Sequence, residues 1–236
     1  MNKINSNYQS KIRMLSILTG VFFVCFNFNS LAINNLKPTI DSLKITFINQ
    51  DLKLDPDIIK GLKSTIYNVY PKLVKDFNKN ARMDITIKID TTYDGVAYAN
   101  SGKITVSSQY LHKRPNDLDL ITHEIMHLIQ SYPYGAGPSW LTEGIADFVR
   151  YKYGVDNVKA DWYLTEFSEN QHYTNSYRIS ARFLLWVSQN YDQKLVYKLD
   201  KKLRSNSYSN KLWNEYTGFS LDQLWYNYSK NPIIKS

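Results

Sequence analysis

The chain of 236 residues is long enough for one domain with a sizeable hydrophobic core. Its composition, 43% hydrophobic and 21% charged residues, excludes both an intrinsically disordered chain and one embedded in a membrane. The formal net charge is +8, but the basic residues are scattered and follow no nucleic-acid-binding motif, so we expect no nucleic-acid partner.

Residues 1–32 have the pattern of a secretory signal peptide. Three basic residues precede the apolar run MLSILTGVFFVCF, and small residues at Ser30 and Ala32 match a signal-peptidase site. The run is shorter than the roughly 20 residues of a transmembrane helix, although an uncleaved anchor is the alternative. Cleavage removes the only cysteine and leaves 26 basic and 21 acidic residues, a net charge of +5. We therefore predict an exported protein, secreted or periplasmic, without disulfides and without a membrane partner after cleavage.

Strands are predicted first in the remaining chain. Two segments alternate apolar and polar side chains, as half-buried strands do: residues 43–50 and 83–90. Between them, residues 56–77 have a helical pattern that Pro71 should end or kink. Residues 95–108 predict a hairpin that turns at residues 100–102, Asn-Ser-Gly.

Helical patterns dominate the rest of the chain. One helix is predicted to begin at residues 115–117, and another, capped by Ser139, to run as far as Gly154. Four more follow: residues 176–190, 193–204, 209–216 and 220–230. Because strands precede helices, we predict an α+β fold with a small mixed sheet. Residues 33–236 then form one domain, with the sheet and the helix that begins at residues 115–117 in 33–131 and a helical part in 132–236.

The segment HEIMH places two of the four histidines, His123 and His127, four residues apart. On a helix this spacing brings both imidazoles to one face, where they can bind one zinc ion. Glu124 lies between them and can take a proton from a water molecule. The alternative is that these are ordinary core or surface histidines, since such a motif arises by chance in about one sequence in a hundred.

The segment WLTEGIAD supplies a second pair of polar residues at helical spacing, Glu143 and Asp147. Glu143 follows His127 by 16 residues, enough for one helix to end and another to return antiparallel to it. Two histidines and a glutamate form a known zinc ligand set, and Asp147 can accept the free N–H of His123. The alternative is a solvated acidic first turn. However, the chain has only five glutamates, and Glu124 and Glu143 are two of them.

Together these segments resemble the basic secretory protein peptidases of plants and bacteria, which belong to the glutamate-zincins. The resemblance rests on HEIMHLIQ and WLTEGIADFVRY and extends to GVAYANSGKITVSSQYL, YRISARFLLWV and LDQLWYNYSK. It implies a zincin-like fold with an active-site helix and one zinc ion per chain. It further implies that His123, His127 and Glu143 are the ligands, that Glu124 is the general base, and that Asp147 orients a ligand.

The reaction that such a site supports is peptide-bond hydrolysis. Zinc would polarise the scissile carbonyl and activate water, while Glu124 accepts the proton and passes it to the leaving amine. A tyrosine, histidine or arginine should stabilise the oxyanion. Candidates are His172, Tyr173 and Tyr177, and Tyr177 is favoured because it begins a segment covered by the resemblance.

An edge strand beside the active-site helix binds extended substrates in zincins of this type. By that resemblance, and because a peptide can add to an open sheet edge, we nominate Val96, Ala97, Tyr98, Ala99 and Asn100 for substrate binding. The alternative is an ordinary core hairpin. The sequence thus predicts an exported, monomeric zinc metallopeptidase acting on peptides or proteins. Two rivals remain: a non-catalytic zinc-stabilised binding protein, and a zinc hydrolase of a non-protein amide such as a cell-wall component.

Overall fold

The computed structural model describes residues 43–235, so the predicted signal peptide lies outside the described residues. Strands β1 (Lys44–Asn49) and β2 (Asp84–Asp90) match the predicted segments and pair in parallel. Parallel neighbours need a long crossover, which helix α1 (Pro56–Asp76) provides. Among the described helices, none has both the length and the apolar character that a membrane crossing requires.

Helix α1 continues through Pro71 to Asp76, so the prediction that the proline could end it was wrong. Proline costs the helix one backbone hydrogen bond, but burial of an apolar face offsets that loss. Five residues of this face are completely buried: Leu62, Ile66, Val69, Tyr70 and Leu73. The start of α1 is fixed by Asp55, whose carboxylate accepts the N–H of Asp57 at 2.8 Å.

The predicted hairpin is present as β3 (Ala97–Asn100) and β4 (Lys103–Ser107). Ser101 and Gly102 both have positive φ, 50° and 84°, which a tight two-residue hairpin turn requires. Strand β4 inserts beside β2 in parallel, and the sheet order becomes β1-β2-β4-β3. Strand β3 therefore lies at an edge of the sheet, antiparallel to β4.

Two details of the next segment differ from the prediction. Helix α2 (Ser108–Lys113) was not predicted; it begins where Ser107 accepts the N–H of Tyr110 at 3.3 Å. The histidine-bearing helix α3 (Leu120–Gln130) starts later than residues 115–117. Asp117 cannot cap it because its carboxylate binds Tyr110 and Arg150 instead, each at 2.5 Å.

Helix α4 (Ser139–Tyr153) ends just before Gly154, as predicted. Its N-terminal cap position is occupied by Pro138, and no side chain caps it, so the prediction that Ser139 caps the helix was wrong. Ser139 is instead the first helical residue.

The C-terminal part is helical, as predicted. A short 3₁₀ helix (Tyr173–Asn175) leads into four helices: α5 (Tyr177–Asn190), α6 (Leu195–Arg204), α7 (Lys211–Thr217) and α8 (Leu221–Lys230). An aromatic cluster joins α5, α7 and α8, in which the ring of Phe183 lies 5.2 Å from Trp225 and 6.2 Å from Trp213. The structure confirms an α+β fold with a four-stranded mixed sheet and a helical C-terminal part.

Candidate metal centre and active-site cleft

Helix α3 presents its two histidines to helix α4. Apolar residues on both sides of them, including Ile121 and Ile125, are completely buried and hold the helix in the core. Within α3 the Nε2 atoms of His123 and His127 lie 3.0 Å apart. Oε2 of Glu143 on α4 lies 3.2 Å from the first and 3.4 Å from the second. The three sequence-predicted ligands therefore converge on one point.

This geometry fits a zinc ion. Bonds of about 2.0–2.1 Å in a tetrahedral site place the ligand atoms roughly 3.3 Å apart. The three separations here, from 3.0 to 3.4 Å, lie close to that value. Two imidazole nitrogens and one carboxylate oxygen also form the donor set of catalytic zinc sites, which leave a fourth position open.

The electrostatics of the site favour a positive charge at its centre. Burial lowers the pKa of His123, but hydrogen bonds with Asp147 and Glu143 outweigh burial and raise this pKa to about 10. Burial raises the pKa of Glu143, but hydrogen bonds with His123 and His127 hold it well below its ordinary value. The carboxylates that favour a proton on His123 attract a metal cation for the same reason, and metal binding competes with that proton.

Glu124 faces the same site from helix α3. Its side chain is buried, and Oε2 has no hydrogen-bond partner within the described part of the chain. An unpaired buried carboxylate oxygen costs about 1–3 kcal/mol or more, so it marks a position where a ligand or water belongs. Burial raises the pKa of Glu124, which makes it a better proton acceptor than an exposed glutamate.

Helices α3 and α4 run antiparallel and are tied at three levels. At the centre, Asp147 Oδ1 lies 2.6 Å from Nδ1 of His123. At one end, the amide of Gln130 donates to the backbone oxygen of Thr142 at 2.9 Å. At the other end, Asp117, which precedes α3, forms a buried ion pair with Arg150 of α4 at 2.5 Å. The ligand-bearing faces of the two helices are therefore held rigidly against each other.

Tyr177, the favoured oxyanion donor, begins helix α5 at the edge of the site. Its ring stacks over His123 with a centroid distance of 6.2 Å, and about half of the residue is exposed. The negative charge of Glu143, followed by burial, raises the pKa of Tyr177, so the phenol remains protonated and can donate. Both Ser176 and Tyr177 have positive φ, 63° and 51°, a strained conformation for residues other than glycine.

The two other oxyanion candidates lie away from the site. The hydroxyl of Tyr173 donates to Asp222 at 2.8 Å, and His172 packs against Tyr173 and Trp225. Neither lines the cleft that contains the candidate metal ligands. Of the three candidates, Tyr177 alone lies at the metal centre.

A cleft of about 940 Å³ runs over the metal centre. One wall contains four of the five nominated substrate-strand residues: Val96, Ala97, Tyr98 and Ala99. The fifth, Asn100, lines a neighbouring depression and not this cleft. The nominated strand therefore lies beside the ligands at an open sheet edge, with Asn100 beyond the cleft.

Sequence reasoning missed three features of the cleft. Gln130 follows His127 by three residues and so shares its helix face, a signal that the sequence contained. Arg150 follows Asp147 in the same way. Nothing in the sequence pointed to Tyr93, which packs edge-to-face on Tyr98 at 5.0 Å and lines the cleft.

The fold and the site together define an α+β protein with a candidate His-His-Glu metal centre in a cleft, an arrangement that metal-dependent hydrolases use. A sequence model of the family described as a peptidase of plants and bacteria (BSP) matches residues 50–228. The chain therefore belongs to this peptidase family, and the resemblance predicted from its motifs is confirmed. No curated protein and no solved structure gives a significant match.

Proposed function

We propose that this protein is an exported, zinc-dependent peptidase in which His123, His127 and Glu143 hold one zinc ion. The observation that carries the proposal is the convergence of one ligand atom from each residue within 4.8 Å, next to the buried carboxylate of Glu124. Membership of a peptidase family supports peptides or proteins as substrates. A zinc ion bound there would polarise the scissile carbonyl and increase the acidity of water.

Glu124 moves the protons of the reaction. Its buried Oε2 accepts a proton from the attacking water, whose oxygen forms the new bond to the carbonyl carbon. The protonated carboxyl group then donates to the amide nitrogen as the C–N bond breaks, which releases a neutral amine and regenerates the carboxylate. Tyr177 donates its phenolic hydrogen to the oxygen on which negative charge develops.

Strand β3 binds the substrate backbone through Ala97 and Ala99. Ser107 donates its N–H to the oxygen of Val96 at 2.9 Å, so the pairs of residues that exchange hydrogen bonds with β4 are 96 with 107 and 98 with 105. The backbone groups of Ala97 and Ala99 then point away from β4, towards the open edge. An extended peptide can pair with these groups.

The test compares the mature chain with Glu124→Gln, using Glu169→Gln as a matched control at an exposed glutamate. Zinc content and cleavage of casein and of a peptide library are measured together. We expect about one zinc ion per chain in all three proteins, and cleavage by the parent and the control only. Loss of cleavage without loss of zinc assigns the proton transfer to Glu124.

Other outcomes distinguish the rival functions. Zinc in the parent with no cleavage of any peptide would favour a zinc-stabilised binding protein or a hydrolase of a non-protein amide, which digestion of cell-wall fragments would separate. A parent that binds no zinc refutes the proposed metal centre.

The proposal that the protein is exported depends on the signal-peptide pattern of residues 1–32. Expression of the full chain in a bacterial host, followed by N-terminal sequencing of the protein outside the cytoplasm, should give a chain beginning at Ile33. Retention of an uncleaved chain in the membrane fraction would instead indicate an anchor. Size-exclusion chromatography of the cleaved protein tests the expectation that it is a monomer.

A further inference from the structure

Gln130 lies between the two helices that carry the ligands. It is the last residue of α3, and only 2% of it is exposed. Its Oε1 lies 2.8 Å from Nδ1 of His127, and its Nε2 donates to the backbone oxygen of Thr142 at 2.9 Å. Thr142 directly precedes Glu143, so one buried amide contacts one predicted ligand and the backbone next to another.

The second contact fixes the orientation of the amide. A backbone oxygen only accepts, so the NH₂ group of Gln130 must face Thr142 and the oxygen must face His127. An amide oxygen also only accepts, so Nδ1 of His127 must carry the hydrogen. The neutral ring then has its lone pair on Nε2, the atom that faces His123 and Glu143.

We propose that Gln130 is a positioning residue that holds His127 in its metal-binding tautomer. The amide oxygen of Gln130 accepts the N–H of Nδ1 of His127, as the carboxylate of Asp147 accepts that of His123, but it carries no charge. This choice avoids another buried negative charge beside Glu124 and Glu143. The inference rests on the proposed zinc centre for its role, although the tautomer itself can be measured without metal.

The C-terminal end of α3 is fixed, so the amide cannot easily swing away. The guanidinium of Arg204 on α6 donates to the backbone oxygens of Ile129 and Gln130, both at 3.1 Å. Asn78 also donates to the oxygen of Ile129, at 2.8 Å. Asn78 is a second buried amide bonded to the same end of the helix, but it has no hydrogen bond to a ligand.

The experiment compares Gln130→Ala with Asn78→Ala, since both variants lose a buried amide at the same helix end. Affinity for Zn²⁺ and Co²⁺ is measured by competition with a chelating dye, and the visible spectrum of the Co²⁺ protein is recorded. Gln130→Ala should weaken metal affinity by about 10- to 100-fold and change the spectrum. Asn78→Ala should lower the melting temperature while leaving affinity and spectrum close to those of the parent.

Gln130→Glu separates the two contacts of the side chain. A carboxylate still accepts from Nδ1 of His127 but no longer donates to Thr142. We expect metal affinity to recover to within a few-fold of the parent, with a lower melting temperature. Equal losses of affinity in Gln130→Ala and Asn78→Ala, or no loss in either, would overturn the proposal.

A metal-free measurement keeps this inference separate from the proposed function. In the parent labelled with ¹⁵N-histidine, the neutral ring of His127 should give the shifts of the Nδ1–H tautomer, and Gln130→Ala should lose this preference. The other tautomer in the parent refutes the role of Gln130 whatever the peptidase assay gives. The expected tautomer without zinc binding would refute only the proposed metal centre.

Discussion

At the scale of single residues, Tyr177 combines features that distinguish it from the other 17 tyrosines of residues 43–235 as a catalytic candidate. Its ring stacks on His123, its phenol stays protonated next to Glu143, and its backbone is strained. Strain of this kind costs about 1–3 kcal/mol and persists where the surrounding structure requires it. Here it turns the first residue of α5 towards the metal centre.

Tyr177→Phe removes the donor and leaves the ring. Loss of one such donor lowers kcat by roughly 10²–10³-fold, and we expect that loss with unchanged zinc content and little change in KM. Tyr173→Phe is the matched control, because its hydroxyl bonds to Asp222 outside the cleft. Steady-state kinetics on one peptide substrate give kcat and KM for the parent and both variants. If both variants lose activity equally, the effect comes from the packing of this segment and not from a donor at the site.

The site residues differ in how far the sequence could predict them. His123, His127 and Glu124 lie within one helical turn, so spacing alone placed them together. Glu143 comes from a second helix. Its separation from His127 along the chain suggested that the two helices lie antiparallel, but could not give the 3.2 Å distance between Glu143 and His123. Tyr93 reaches the cleft through a loop, whose path depends on packing that no local pattern encodes.

At the scale of elements, the open edge of β3 makes a prediction about substrate binding. Ala97→Pro removes an N–H that faces away from β4, a position where proline is tolerated in an edge strand. Losing one backbone hydrogen bond of about 1 kcal/mol should raise KM for long peptides roughly fivefold, with little change in melting temperature. Ala97→Ser keeps the N–H and should retain the KM of the parent. An unchanged KM for Ala97→Pro would rule out pairing at this residue.

The approach of α5 to α4 depends on Gly144, the neighbour of Glu143. A Cβ at this position would lie 2.7 Å from Cβ of Ser180, which is fixed to the backbone of α5. Gly144→Ala therefore forces the helices apart, which lowers the free energy of unfolding by roughly 1–3 kcal/mol. This loss equals or exceeds the gain of about 1 kcal/mol that alanine brings over glycine within a helix. We expect a lower melting temperature and, because Tyr177 moves with α5, a lower kcat.

Gly61→Ala is the matched control within helix α1. Its Cβ would lie 2.5 Å from Cδ1 of Leu118, the mobile end of a side chain that can rotate away. This variant should be as stable as the parent or slightly more stable, because alanine favours the helix. Denaturant unfolding of both variants measures the difference. Equal stability of Gly144→Ala and Gly61→Ala would mean that the α4–α5 contact tolerates a methyl group.

Helix and strand types were predicted well because their periodicity is local, whereas the boundaries that failed depend on distant partners. Asp117 looked like a helix start but is engaged by Arg150, 33 residues later. Ser139 looked like a cap, but the helix begins one position earlier than that role requires. The parallel pairing of β4 with β2 also follows from tertiary packing, and the order of elements alone does not specify it.

At the scale of the whole molecule, the candidate metal centre lies between the two parts of the described chain. Helix α3 packs under the sheet and against α1, while α4 packs against α5 and the aromatic cluster of the C-terminal helices. Ligands on α3 and α4 therefore place the proposed zinc ion at the junction of both parts. The chain contains a single cysteine, so no intrachain disulfide can make this connection.

Removal of the metal should consequently lower the stability of the whole protein. A ligand present at about a thousand times its Kd stabilises the folded state by about 4 kcal/mol, which for a domain of this size corresponds to roughly 8–16 °C in Tm. We expect a fall of this size when a chelator is added to the parent, and recovery when zinc is restored. His127→Ala should already melt at a reduced temperature and respond little to the chelator, and a reducing agent should affect neither protein. If the melting temperature of the parent does not change when the chelator is added, zinc does not stabilise the fold. Helices α3 and α4 are then held together by their hydrogen bonds, ion pair and apolar contacts alone, and the role of zinc is confined to catalysis.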